Sequence, residues 1–420
     1  MAALRAISAC FLLPLLARAD FDCSAPWADF CPPGGIPGDR GCSPYSPPAA
    51  GDLLQVRRQL VAALFGNGGS LPSAGADAVL PVPGGATPAN AGSWCSTQGN
   101  CAAAAAAWSS NASQVVFSVS APFRNGSDLV LTSTAWWTLN TSGVAPSTYI
   151  SAFGPPAFPP FPAPPARLSD TLVLFHQGHN SPCEIPGGDP DYDGTVDFLN
   201  QAGFDVLNLH MPTYQLNAAP PLFACDHAAF AALEQQEGMP VFRFFIEPVV
   251  RAVNFALAQG YARVAMAGLS GGGWTTAVAA AIDPRIQLSV PVAGSVPCDF
   301  RHTSWDFEQQ CNSSWARVAN YSTLYALAAL EPNRTSVQLL HEADPCCFHA
   351  CGRHDRIRAY NADVAGRARG LFQTAVTVGN VHEVNPRDRV IIAGLLDKLR
   401  TRGIAADDVR RLPFNTLDEW

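Results

Sequence analysis

From about Ser169 onward the sequence alternates short apolar, β-rich runs with longer stretches of helical spacing, and few architectures satisfy that alternation. The strand candidates are Thr171–Phe175, Asp205–Leu209, Arg263–Ala267, Gln287–Val292, Val337–His341 and Ala375–Val378. Between and after them lie helical patterns over Val196–Ala202, Pro248–Gln259, Trp274–Ile282, Arg356–Arg369 and Pro386–Arg402. Strands with no polar face must be covered on both sides, so the pattern predicts an α/β fold with a mostly parallel central sheet and helices on both faces. Upstream, Val115–Ser120 and Leu129–Thr138 flank a turn containing Pro122, Asn125 and Gly126, which predicts N-terminal antiparallel strands at one edge. Leu53–Leu64 has helical spacing, and the proline-rich stretch Gly154–Pro165 can be neither helix nor central strand.

The N-terminus has a different character. Arg5, the apolar run Ile7–Leu16 and the small-residue site Ala17-Arg18-Ala19 form the three regions of a secretory signal, so residues 1–19 are expected to be removed and the protein secreted. Residues 20–110 are expected to form a Cys/Pro/Gly-rich extension, with Ala102–Ala107 as a short helix, and residues 111–420 the main α/β domain. Of the 13 cysteines, Cys10 lies in the signal, which leaves an even number and predicts disulfides, a disulfide-rich N-terminal extension included. Sequons at Asn111, Asn125, Asn140, Asn312, Asn320 and Asn333 are compatible with a glycoprotein. With a net charge of −8, only 14% charged residues and no basic block, the chain is not expected to bind nucleic acid or anionic membrane. No later apolar run is long enough for a transmembrane segment. The pattern specifies no oligomeric state.

The strongest chemical signal is Gly268-Leu269-Ser270-Gly271-Gly272, which follows one predicted strand and precedes a predicted helix. That context is the one a nucleophile elbow needs, because a sharp turn pushes the serine side chain clear of both elements. A glycine-rich connection, or a phosphate cradle at a helix N-terminus, would use similar residues. Downstream, Asp344 follows the strand Val337–His341, and His382 follows the last strand.

With these residues in this order, the chain resembles the α/β-hydrolase superfamily of serine hydrolases over roughly Val115 to Arg402, in particular esterases of the dienelactone hydrolase and acetyl xylan esterase kind. The resemblance implies Ser270 as nucleophile, His382 as general base and Asp344 as the carboxylate that orients it. Glu342, Asp355, Asp299 and Asp306 are the other candidates for the acid. It also implies an oxyanion hole from the N–H of Gly271 and an amide of His176-Gln177-Gly178-His179, with Gly178 and His179 as the candidates. The expected activity is hydrolysis of a small-molecule or polymer-borne carboxylic ester through an acyl-enzyme, with no cofactor and no metal. A serine peptidase of the same superfamily and a non-catalytic binding protein are the alternatives.

Two further clusters invite a metal reading. Asp189, Asp191 and Asp193 resemble the start of a calcium loop, but Asn200 stands where a bidentate Glu belongs, and an acidic lead into the following helix explains them as well. Cys346, Cys347, His349, Cys351 and His354 could suggest zinc, whereas in a secreted chain disulfides are expected, with Cys346 and Cys347 taking separate partners such as Cys351 or Cys311. Two long insertions, Met211–Pro240 and Pro297–Ala319, are expected as pocket walls or disulfide-stapled loops. Trp274 is expected in the core.

Overall fold

The structure is a computed structural model that describes residues 52–66, 70–81, 112–139, 169–179, 194–214, 217, 227–300, 306–311 and 313–412. The expected signal segment, most of the extension with its cysteines, the Ala102–Ala107 helix, the proline-rich connection and Asp189, Asp191 and Asp193 lie outside the described residues.

Among the described residues nine strands form one sheet: β1 (Ala78–Pro81), β2 (Ala112–Pro122), β3 (Asp128–Thr138), β4 (Thr171–His176), β5 (Asp205–Leu209), β6 (Arg263–Leu269), β7 (Ile286–Val292), β8 (Thr335–His341) and β9 (Leu371–Thr377). Their order across the sheet is β1-β2-β3-β5-β4-β6-β7-β8-β9. β1, β2 and β3 run antiparallel and join the rest through an antiparallel β3–β5 pairing. From β5 to β9 every pairing is parallel. The fully buried β4 feeds alternate side chains into two cores, as a two-sided strand must. Leu172 and Leu174 join Val264 and Met266 in one core, while Val173 and Phe175 join Ala265 and Ala267 in the other.

The α-helices among the described residues are α1 (Leu53–Phe65), α2 (Thr195–Gln201), α3 (Ala228–Ala232), α4 (Arg243–Ala258), α5 (Gly271–Ile282), α6 (Tyr321–Ala328), α7 (His354–Arg367), α8 (Pro386–Thr401) and α9 (Ala406–Arg410). α5 packs among α1, α4 and α6, and α8 packs against α2. The alternation, the parallel sheet and the antiparallel edge thus fold as the sequence pattern predicts. β1 and α6 were not foreseen: β1 has only four residues, and all eight residues of α6 are buried, so no polar face marks a helical period. α4 begins at Arg243, five residues before Pro248, the expected start. Pro248 therefore lies inside the helix, where it has no N–H to donate to the carbonyl four residues back.

Two arginines tie the helices to the sheet behind the site. Arg334, at the foot of β8, is 1% exposed and donates to the carbonyls of Ile286, Leu327, Ala280 and Asp283 and to Glu331. Arg57 of α1 donates to the same Glu331 and to the carbonyls of Ala281 and Leu327. Arg334→Met keeps the stem and removes the donors, leaving buried carbonyls unpaired and Glu331 with one partner. It should lower unfolding free energy by about 3 kcal/mol or more, read by denaturant titration.

Candidate active site

β6 ends at Leu269 and α5 begins at Gly271, so Ser270 alone makes the turn, at φ 56° and ψ −121°. A non-glycine residue with positive φ costs roughly 1–3 kcal/mol and persists only where its surroundings over-determine it. Here the Ser270 N–H donates to the Val292 carbonyl at 3.0 Å, and its own carbonyl accepts from Trp274 N–H at 2.9 Å. Trp274 itself is buried among Phe242, Phe245 and Trp315, in the core as expected. The serine is half-buried, and its side chain does not cap the helix that follows.

The loop after β4 lies directly against this turn. A Cβ on Gly178 would stand 2.8 Å from both the Leu269 carbonyl oxygen and Ser270 Cβ. A Cβ on Gly271 would stand 2.7 Å from Cε1 of His179. Only glycines allow so close an approach, and the structure therefore brings Gly178, His179 and Gly271 together beside Ser270. As the first residue of α5, Gly271 has an N–H without an intrahelical acceptor. His176 is buried, and burial pushes its imidazole down to about 4. It is neutral, with Nδ1–H donating to the Gln177 carbonyl at 2.8 Å.

Asp344 and His382 meet as the sequence order suggests. His382 Nδ1–H donates to Asp344 Oδ2 at 2.9 Å, and its ring stacks on Phe348. His382 Nε2 is buried and has no hydrogen-bond partner among the described residues. The other carboxylate oxygen, Asp344 Oδ1, accepts from the N–H groups of Cys346 at 2.7 Å and Cys347 at 3.2 Å. Burial opposes the charge on Asp344, but His382, then His341 and the Cys346 amide, outweigh it and hold the carboxyl at about 2. The rival acids are placed elsewhere. Glu342 pairs with His354 at 2.8 Å, Asp355 is 98% exposed and pairs with Arg358, and Asp306 lies near His179. The side chain of Asp299 lies outside the described residues.

The cysteines after Asp344 correct the expected pairing. Cys346 and Cys347 bond to each other, their Cα atoms 3.7 Å apart, and Cys311 pairs with Cys298. Asp344 Oδ1 accepts from both cysteine amides, which holds the two adjacent residues in one tight turn. Cys351 is also disulfide-bonded, so all three thiols of the cluster are consumed.

Behind this pair lies a second imidazole–carboxylate pair that sequence reasoning missed. His341, the last residue of β8, donates from Nε2 to Asp388 Oδ2 at 2.7 Å and from Nδ1 to the Val381 carbonyl at 3.1 Å. Burial disfavours the His341 cation, yet Asp388, and after it Asp344, raise its pKa to about 9. Asp388 also closes a capping box with Asn385 at the start of α8 and accepts from Thr377. The Asn-Pro-Arg-Asp run at 385–388 carried the helix-start signal; nothing in the sequence tied it to His341.

The described parts of the insertions contain buried residues. Pro212, Thr213 and Asn217 line a cleft of about 290 Å³ with Val119, Val130 and Phe244, away from Ser270, Asp344 and His382. Trp315 is fully buried against Trp274 and Tyr321.

The sheet order and the strand–turn–helix at Ser270 are those of an α/β-hydrolase fold. No protein-family profile matches the sequence, and no protein of curated function matches it. Among solved structures, the native form of a cold-adapted esterase from an Arctic intertidal metagenomic library is 15% identical, with a TM-score of 0.37 and coverage of 70% of this chain and 95% of that one. An acetyl xylan esterase from Paenibacillus sp. R4 is 14% identical, with a TM-score of 0.40 and coverage of 68% and 84%. A putative dienelactone hydrolase from Klebsiella pneumoniae subsp. pneumoniae MGH 78578 is 12% identical, with a TM-score of 0.34 and coverage of 71% and 94%.

Two stability measurements probe this geometry. Ser270→Gly removes the strained conformation and should raise unfolding free energy by up to about 1 kcal/mol after the entropy cost of glycine. For His341 the folded pKa is raised, so its contribution is full below the ordinary 6.5 and is lost as pH rises through about 9. The melting temperature of wild type should exceed that of His341→Gln by a constant gap between pH 5 and 6.5. The gap should shrink through pH 9, for a total change of the order of 3 kcal/mol.

Proposed function

We propose that the protein is a secreted serine hydrolase that cleaves carboxylic esters through an acyl-enzyme. One observation carries the reading. A strained serine occupies the strand–helix turn of an α/β-hydrolase sheet, and at the same sheet edge an Asp-bound histidine keeps an enclosed, unbonded Nε2. Ser270 Oγ attacks the ester carbonyl carbon while His382 Nε2 takes its proton. The oxyanion is held by the N–H of Gly271 and an amide of the Gly178–His179 segment. Collapse of the tetrahedral adduct expels the alcohol, which receives the proton from His382. Water then attacks the acyl-serine by the same route, releasing the acid and restoring Ser270. Asp344 fixes the imidazole tautomer and stabilises the imidazolium formed in each half-reaction. An alkoxide leaves more readily than an amine, which favours an ester over a peptide. The leader-like residues 1–19 and the bonded cysteines favour secretion.

The test is fluorophosphonate labelling of the secreted protein, with the modified peptide mapped by mass spectrometry. Label on Ser270, with none on Ser270→Ala, is expected; a folded wild type that takes no label indicates a binding protein instead. With a short-chain ester, Ser270→Ala and His382→Ala should each lose about 10⁴- to 10⁶-fold in kcat, and by similar factors, because such residues act as a unit. Asp344→Asn should cost about 10⁴-fold. Turnover of peptides but not of any ester would assign a peptidase.

A further inference from the structure

Close to the turn at Ser270–Gly271, three side chains from distant parts of the chain converge. His179 comes from the loop after β4, His227 from the residue preceding α3, and Glu308 from the short helical turn Phe307–Gln309. His227 and Glu308 are buried, and the side chain of His179 is 15% exposed. Their ligand atoms all lie within 4.8 Å of one another.

The three closest separations are 3.2 Å from His179 Nε2 to His227 Nδ1, 3.4 Å from His179 Nε2 to Glu308 Oε1, and 2.9 Å from His227 Nδ1 to Glu308 Oε2. Metal–ligand bonds of about 2.0–2.2 Å in a tetrahedron require ligand atoms about 3.3 Å apart. The His179–His227 edge already has that length; the two contacts to Glu308 are made by different oxygens, Oε1 to His179 and Oε2 to His227, so the carboxylate would bind one ion through both oxygens or turn slightly to present one.

Hydrogen bonding around the cluster prepares these atoms for a cation. His227 Nε2–H donates to the Pro212 carbonyl at 2.9 Å, so in the neutral ring the lone pair is on Nδ1, facing the carboxylate. A lone pair 2.9 Å from a carboxylate oxygen is repelled unless a positive charge lies between them, either a proton or a metal ion. The Gln309 amide donates to Glu308 Oε1 at 3.1 Å and orients the carboxylate. The rings of Tyr214, Phe230 and Phe245 pack around His227. Asp306 Oδ2 lies 3.9 Å from His179 Nδ1, at the outer edge of the ring, where the partner of a ligating imidazole belongs.

We infer that His179, His227 and Glu308 form a binding site for one zinc-like divalent transition ion. Two imidazoles and one carboxylate are a donor set suited to zinc, and they leave a fourth position for water or a substrate oxygen. A hard ion such as calcium or magnesium would want six or more oxygens. The ion would clip both insertions to the loop that carries Gly178. The Cys298–Cys311 disulfide brackets Glu308 and limits where it can move. The inference does not depend on the hydrolase reading, because the three ligands include neither Ser270 nor His382.

The experiment uses the full secreted chain, stripped with a chelator and titrated calorimetrically with Zn²⁺, then with Co²⁺ followed by visible absorption. Wild type should bind one equivalent of Zn²⁺, rise in melting temperature with it, and give the intense visible bands of four- or five-coordinate cobalt. Glu308→Gln and His179→Gln should each weaken binding by about 100-fold or more, beyond the loss typical of an outer partner. They should also abolish the cobalt bands, while His382→Ala keeps them. Circular dichroism establishes that each variant is folded. If Glu308→Gln does not fold, the partly exposed His179→Gln decides. A wild type that binds no stoichiometric ion, or variants that bind as tightly as wild type, would overturn the inference and leave a buried proton-bridged ion pair.

Discussion

An ionised carboxylate buried at the end of a parallel sheet is the constraint around which the rest of the site is arranged. Asp344 is 1% exposed and spends every available donor in reach: His382 on one oxygen, two cysteine amides on the other. A buried charge left short of partners costs several kcal/mol, so none of these contacts is dispensable. The turn at 344–347, with its bonded Cys346 and Cys347, is the local answer to that demand. The distant answer is the His341–Asp388 pair, which joins the end of β8 to the cap of α8 and, through the Val381 carbonyl, to the loop that carries His382. The position of the histidine is therefore fixed from its own loop, from the adjacent strand and from the helix that follows.

Much of this architecture was legible in the residues. Apolar runs such as Thr171–His176 and Arg263–Leu269 have no polar face, and only a sheet covered on both sides buries them. Gly268 to Gly272 announced a tight strand–helix turn, and Asp344 and His382 stood on loops after strands, where such groups belong. What could not be read were facts of three-dimensional convergence. His341 looked like the end of a strand, and Asp388 like a helix cap; their hydrogen bond spans 47 residues. The pairing of Cys346 with Cys347 depends on a turn whose shape is set by a side chain two residues upstream. α6 was invisible for the opposite reason, since a helix buried on all sides shows no period.

The loop after β4 serves two neighbours at once. Its backbone passes over Ser270 closely enough that Gly178 and Gly271 cannot carry side chains. The imidazole of His179, on the same segment, reaches outward to His227 and Glu308. Any shift of Glu308 or His227 is therefore transmitted to the segment proposed to bind the oxyanion. Trp315, which donates to the Glu308 carbonyl at 2.9 Å and packs at a tilt against Trp274 in the first turn of α5, ties the second insertion to the helix that begins at Gly271. The insertions are thereby parts of the framework around the serine as well as a covering over it.

The signs of the buried charges fit the proposed chemistry. At neutral pH His341 is a cation and Asp388 an anion, 2.7 Å apart, so to a distant group the pair is close to neutral. Asp344 consequently faces His382 as an uncancelled negative charge, although a cationic imidazole lies behind it. Had His341 lacked Asp388, its positive charge would have opposed the imidazolium that must form on His382 when Ser270 gives up its proton. Had His341 been absent altogether, Asp344 would have lost part of the stabilisation that keeps it ionised. The second pair thus helps keep Asp344 ionised, with Asp388 offsetting part of the His341 charge, and in the proposed reaction Asp344 is the carboxylate that stabilises the charge His382 acquires.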